Sequence, residues 1–124
     1  MILYCASDLL WATRIKATAD SLGIPCRPAR NPEMLAARLG DSDVRGMIVD
    51  LEAGDVALSL IRSLRSDPPP GGQTAKRIPV IAFGPHVATE ALQAARQAGA
   101  DRVMTRGAFD SGLVELLRTL EGVA

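Results

Sequence analysis

Apolar residues along this chain fall into two alternating patterns, short solid runs and longer stretches at helical spacing. Ile2 to Ala6 is an apolar run of strand length. Asp8 to Leu22 then carries Trp11, Ile15, Ala19 and Leu22 on one helical face, closed by Gly23. Ile24 to Pro28 reads as a second strand, and Pro25 and Pro28, which cannot donate to a ladder, assign it to a sheet edge. Asn31 with Pro32 behind it is a helix start, and that helix runs through Met34, Leu35 and Leu39 to Gly40. Val44 to Asp50 is the third strand. Asp55 is placed to cap a helix whose apolar face uses Val56, Leu60, Ile61 and Leu64. Ser66 to Thr74, rich in proline and glycine, reads as an exposed loop. The buried strand Ile78 to Phe83 follows, then a helix from Ala88 to Ala98 and a fifth strand from Arg102 to Thr105. A last helix runs from Ser111 to Leu120 through Leu113, Leu116, Leu117 and Leu120.

Five strands taking turns with five helices predict a parallel α/β sheet covered on both faces. Right-handed crossovers make it a doubly wound three-layer sandwich. The periods leave the strand order open, and no internal repeat is evident.

Composition narrows the partners. With 124 residues, 48% hydrophobic and 23% charged, the chain can build one domain with its own core. A formal net charge of zero gives no broad pull toward nucleic acid, and 3% aromatic residues offer few stacking surfaces for single strands. No apolar stretch approaches a membrane span, and Met1 to Cys5 lacks a basic leader, so a cytoplasmic protein is expected. Cys5 and Cys26 lack metal or redox spacing and are expected to be buried, reduced thiols.

Asp50 is the chemical outlier, a carboxylate closing the apolar run Gly46-Met47-Ile48-Val49. In an open α/β sheet, ligands gather beyond the carboxyl ends of the strands, so an acid there is either a functional group or a helix cap. Three stretches extend the argument. Gly46-Met47-Ile48-Val49-Asp50-Leu51, Ile78-Pro79-Val80-Ile81-Ala82-Phe83 and Ala94-Ala95-Arg96-Gln97-Ala98-Gly99-Ala100-Asp101 resemble the third strand, the fourth strand and the turn before the fifth in response-regulator receiver domains of two-component signalling. The likeness spans nearly the whole chain. It implies a flavodoxin-like sandwich with sheet order 2-1-3-4-5 and a single receiver-like domain over 1–124, with no output domain after Glu121-Gly122-Val123-Ala124. It further implies phosphorelay signalling through protein partners, a histidine kinase or a downstream target, rather than an enzyme. Asp50 takes the place of the phosphoacceptor.

The neighbouring positions depart from that family. An acidic pair normally follows the first strand and helps hold magnesium; here the stretch reads Ala6-Ser7-Asp8 and is about one residue short, so Ser7 or Asp8 faces the metal. The remaining magnesium ligands are Asp8, Asp50 and the backbone carbonyl of Glu52, a site expected to be weakened or lost. Asp8 reads equally well as a helix N-cap. Gly84 stands where the family has a serine or threonine, so it offers a backbone N–H and torsional freedom but no hydroxyl. Arg106 stands where a lysine ends the fifth strand, with Gly107 in place of proline. A planar guanidinium does not reproduce a compact ammonium, and it is expected either to pair with Asp50 or to be solvated. Glu52-Ala53-Gly54-Asp55 replaces the usual loop after the phosphoacceptor. His86 is the lone histidine, more often a loop residue than a proton shuttle or phosphoryl acceptor, and without a second histidine or a cysteine placed nearby by the pattern a zinc site is weak.

These residues predict an atypical or pseudo-receiver acting by protein–protein interaction, with a degenerate phosphorylation site centred on Asp50. Two alternatives stay open. One is a flavodoxin-like nucleotide-binding or enzymatic domain, although no phosphate-binding glycine motif or nucleophile elbow occurs. The other is a constitutive dimerisation or scaffold module. In the resembled family the fourth helix, fifth strand and fifth helix pair with partners, and Arg96, Asp101, Arg102, Arg118 and Glu121 give that face mixed charge, as an ordinary solvated face also has.

Overall fold

The computed structural model describes residues 1–66 and 77–122. In chain order these form β1 (Ile2–Cys5), α1 (Leu9–Ser21), β2 (Cys26–Pro28), α2 (Pro32–Asp41), β3 (Gly46–Asp50), a 3-10 turn (Leu51–Ala53), α3 (Asp55–Leu64), β4 (Val80–Gly84), α4 (Thr89–Ala98), β5 (Arg102–Thr105) and α5 (Arg106–Glu121). All strand pairs are parallel, in the order β2-β1-β3-β4-β5, which is the expected topology. The proline-bearing β2 lies at the edge, as anticipated.

Alternation along the buried strands sends side chains to two separate cores. Leu3, Met47, Val49, Val80 and Ala82 meet α2, α3 and α4 through Leu35, Leu39, Leu60, Ile61 and Ala95. Ile2, Tyr4, Ile48, Ile81 and Phe83 meet α1 and α5 through Ile15, Ala19, Leu113, Leu116 and Leu117. Phe83 stacks on Phe109 with ring centroids 4.0 Å apart, and Trp11 closes on Phe83 at 5.2 Å. This aromatic packing pins the first turns of α1 and α5 to the carboxyl end of the sheet.

Several boundaries differ from the sequence reading. Asp55 is the first residue of α3 rather than its cap; Gly54, at φ 71°, occupies the cap position without a side-chain bond. The reason is the intervening 3-10 turn, whose own cap is Asp50. Val56 is exposed, and Ala57 takes its place on the buried face. β4 begins at Val80 rather than Ile78 and extends into Gly84. The last helix starts at Arg106, not Ser111, with the Thr105 hydroxyl accepting from Ala108 N–H. Glycines at 107 and 112 hide that first turn from propensity, while burial of Phe109 under the sheet end secures it. The loop expected over Ser66 to Thr74 lies outside the described residues except for Ser66.

Candidate functional site

Asp50 is the one buried charged residue among those described, at 0% exposure. Two forces place it there. Its strand neighbours bury the backbone, in register with Phe83 on β4, and its Oδ1 accepts the Glu52 N–H at 3.0 Å, capping the 3-10 turn. Cap and outlier are therefore the same residue. Its other oxygen, Oδ2, is buried without a hydrogen-bond partner. Burial pushes the carboxyl above the usual carboxylate range; the Glu52 N–H and Arg106 pull it down, while the charges of Glu52 and Asp8 push it further up.

Around this acid the strand ends supply the rest. Asp8 lies at the start of α1 and accepts the Leu10 N–H at 2.8 Å, so the helix-cap reading holds for it, and it stays exposed. Arg106 is the first residue of α5 rather than the last of β5. It neither pairs with Asp50 nor faces solvent freely. Its Nη2 is ion-paired with Oε2 of Glu52, while its Nε is buried without a partner. Gly84 ends β4 in register with Thr105, and its φ is not positive, so the torsional freedom expected of it is unused. A Cβ built there would meet Leu51 Cβ at 3.5 Å, an ordinary contact. His86 is exposed on the loop after β4.

The side chain that sequence reasoning missed is Glu52, read there only for its carbonyl. An acid two residues beyond Asp50 was visible, but its pairing with a residue from the far end of the chain was not. Beside Asp50, where the sheet order reverses between β1 and β3, a cleft of about 290 Å³ is lined by Cys5, Ala6, Ser7, Arg30, Ala53 and Val56. Burial raises the Cys5 thiol pKa and the nearby Asp50 charge adds to it. Leu9, Leu10, Val56 and Val87, four of the five large exposed hydrophobics among the described residues, stand around this same rim.

With that geometry in view, the comparisons with solved structures are specific. The receiver domain of NtrX from Brucella abortus superposes with a TM-score of 0.76 at 15% identity, covering 100% of both chains. The receiver domain of a sensor histidine kinase from Pseudomonas aeruginosa PAO1, solved with magnesium coordinated in its active-site cleft, gives 0.75 at 18% identity, over 98% of this chain and 96% of that one. A response regulator from Burkholderia pseudomallei, solved with a phosphorylated aspartic acid, calcium and citrate, gives 0.69 at 22% identity, over 95% of this chain and 66% of that one. The fold is that of a receiver domain. No protein-family model matches the chain, and no curated protein matches it in sequence.

A divalent cation fits this receiver fold's rim at one point above all. Asp50 Oδ2 is a buried carboxylate oxygen without a hydrogen-bond partner, and the charges of Glu52 and Asp8 push the Asp50 pKa up, so this is the oxygen that would receive a cation. Among the described residues no three acidic, cysteine or histidine side chains gather into a cage, so water and the Glu52 carbonyl would complete the shell. No described helix is long and apolar enough to cross a membrane.

Proposed function

We propose that this chain is an atypical receiver module of two-component signalling, centred on Asp50 and acting through protein–protein contact rather than as an enzyme. The observation that carries the reading is the buried Asp50 carboxylate at the end of β3, one oxygen capping the turn and the other unpartnered, in a receiver fold. That unpartnered oxygen would be the attacking atom. It forms an O–P bond while the bond from phosphorus to the leaving group breaks. The electron pair departs with that group, as acetate from acetyl phosphate or as the imidazole of a phosphohistidine, which then takes a proton from water.

The chain supplies this step sparingly. Magnesium held by Asp50, Asp8 and the Glu52 carbonyl would neutralise charge on the transferred group. Asp8 is tied to its helix, Arg106 is held by Glu52, and Gly84 offers no hydroxyl, so transfer is slow beside that of a fully equipped receiver. The apolar residues Leu9, Leu10, Val56 and Val87 ring the same edge and suit a protein partner, a histidine kinase or a downstream target. A homodimer through α4, β5 and α5 has less support. Asp101 and Glu121 of that face are spent on Arg65, Arg77, Arg45 and the N-terminus, leaving the exposed Arg96 and Arg102 with Arg118 paired to Glu115.

The test is intact mass after incubation with magnesium and acetyl phosphate. A single phosphate adduct that disappears in Asp50→Asn supports the reading. Absence of any adduct with several phosphodonors defeats phosphotransfer at Asp50. A melting-temperature rise with flavin or adenine nucleotides would instead assign the cleft at Arg30 to a nucleotide.

A further inference from the structure

Two polar atoms at the rim, Asp50 Oδ2 and Arg106 Nε, are both buried and both without a hydrogen-bond partner. They belong to opposite charges, and the Arg106 charge acts on the Asp50 carboxyl, yet no hydrogen bond joins them. Instead the outer nitrogen of Arg106 is taken by the Glu52 carboxylate. Glu52 is itself anchored, since its main-chain N–H donates to Asp50 Oδ1 at 3.0 Å. One residue thus holds the acid with its backbone and the base with its side chain. A carboxylate and a phosphoryl group present a guanidinium with the same fork of oxygens.

We propose that the Glu52 carboxylate is an intramolecular stand-in for the phosphate oxyanion, occupying Arg106 until a phosphate group at Asp50 displaces it. The proposal rests on the receiver reading for the anion's identity, while the exchange itself depends only on the Glu52–Arg106 geometry. Both side chains are partly exposed, at 44% for Glu52 and 31% for Arg106, so the released carboxylate has water to turn into. The exchange stays reversible for the same reason, because a solvent-screened ion pair is weak. Glu52 is a positioning residue in this scheme: it decides where the guanidinium points before the anion arrives.

The test titrates inorganic phosphate at constant ionic strength into the full chain and into Glu52→Gln, Arg106→Gln and the double variant, followed by the Arg106 Nε–H resonance where present and by backbone amide shifts at residues 50–54 and 105–107. Glu52→Gln should lower the half-saturating phosphate concentration about two- to fivefold, the range one exposed ion pair covers. In the Arg106→Gln background the same substitution should change nothing. Equal phosphate binding by the wild type and Glu52→Gln would overturn the stand-in, as would the same gain in the absence of Arg106, which would mark a general charge effect. Acetyl phosphate labelling with magnesium separates this from the parent reading. If no variant retaining Asp50 takes up phosphate, phosphotransfer at Asp50 fails while the titration still decides the exchange. If wild type and Glu52→Gln are labelled at equal rates and their titrations coincide, the receiver assignment stands and the stand-in fails.

Discussion

Asp50 combines two demands that ordinarily conflict: one carboxylate oxygen stabilises the turn after β3, and the other is buried with nothing to bond. Its carboxyl pKa lies above the usual range because burial disfavours the charged form. The native state therefore keeps this proton to higher pH than the unfolded chain does. Stability is lost as pH climbs from the ordinary carboxylate pKa through the raised one, and the loss is complete above it. Asp50→Asn keeps the capping oxygen and removes the charge. It should raise stability near neutral pH by about 1 kcal/mol, a gain that fades as acid protonates the wild type. Urea unfolding at several pH values would check this, and an equal effect at pH 3 and pH 7 would contradict it. Gly84 differs in kind. Neither a positive φ nor a close neighbour demands glycine there, since an added Cβ meets Leu51 and Leu92 at 3.5 and 3.8 Å. Gly84→Ser should fold within about 1 kcal/mol of wild type by the same unfolding measurement. The missing hydroxyl is thus not a requirement of the backbone. Asp50 and Gly84 were both legible as strand-end residues from their positions alone. The direction of the Arg106 side chain was not, because it depends on Glu52, far away in the chain.

Elements meet at the opposite end of the sheet through one arginine. Arg65, just past the end of α3, donates from Nε to Gly99 O at 3.0 Å, from Nη1 to Ile78 O at 2.9 Å and from Nη2 to Asp101 Oδ2 at 2.7 Å. Asp101 in turn accepts the Val80 N–H at 2.7 Å and pairs with Arg77. Four segments are thereby tied: the end of α3, the entry to β4, the end of α4 and the start of β5. Gly99 is required twice over, by its φ of 113° and by the Arg65 stem, whose Cγ would lie 2.8 Å from an added Cβ. Burial would raise the Asp101 pKa, but the Arg77 contact, the Val80 N–H and Arg65 outweigh it and hold the carboxyl below its usual range. Its contribution is therefore full at neutral pH and is lost as pH falls through the depressed pKa. Arg65→Lys keeps the charge but cannot reach three acceptors, and should lose about 2 kcal/mol in urea unfolding. Full recovery by lysine would show that charge alone suffices. The Ala-Gly-Ala-Asp stretch was recognisable in the sequence; the arginine it serves was not, since no spacing rule links it to that turn.

For the whole molecule, the two cysteines report on the two halves of the core. Cys5 packs on the α2, α3 and α4 side and Cys26 on the α1 and α5 side. Burial pushes the Cys26 thiol up to about 12 and raises Cys5 as well. Labelling of the native protein with a thiol-specific disulfide reagent at pH 8 should therefore follow structural opening, with Cys5, which lines the cleft, reacting before Cys26. Modification of both at the rate of a free thiol would contradict that packing. The sequence by itself determined the alternation of strands and helices, the edge position of β2, the burial of both thiols and Asp50 as the chemical outlier. Those features follow from local patterns: solid apolar runs, helical spacing, proline's missing donor and a charge beside a core. The strand order came through a family likeness, which the topology matches, and not from periodicity. Only the tertiary structure decided that α5 begins at Arg106, that Glu52 rather than Asp50 holds its guanidinium, and that one oxygen of Asp50 is left without a bond. Each of these depends on groups that folding brings together from distant parts of the chain, and pairing across such distances leaves no period in a sequence.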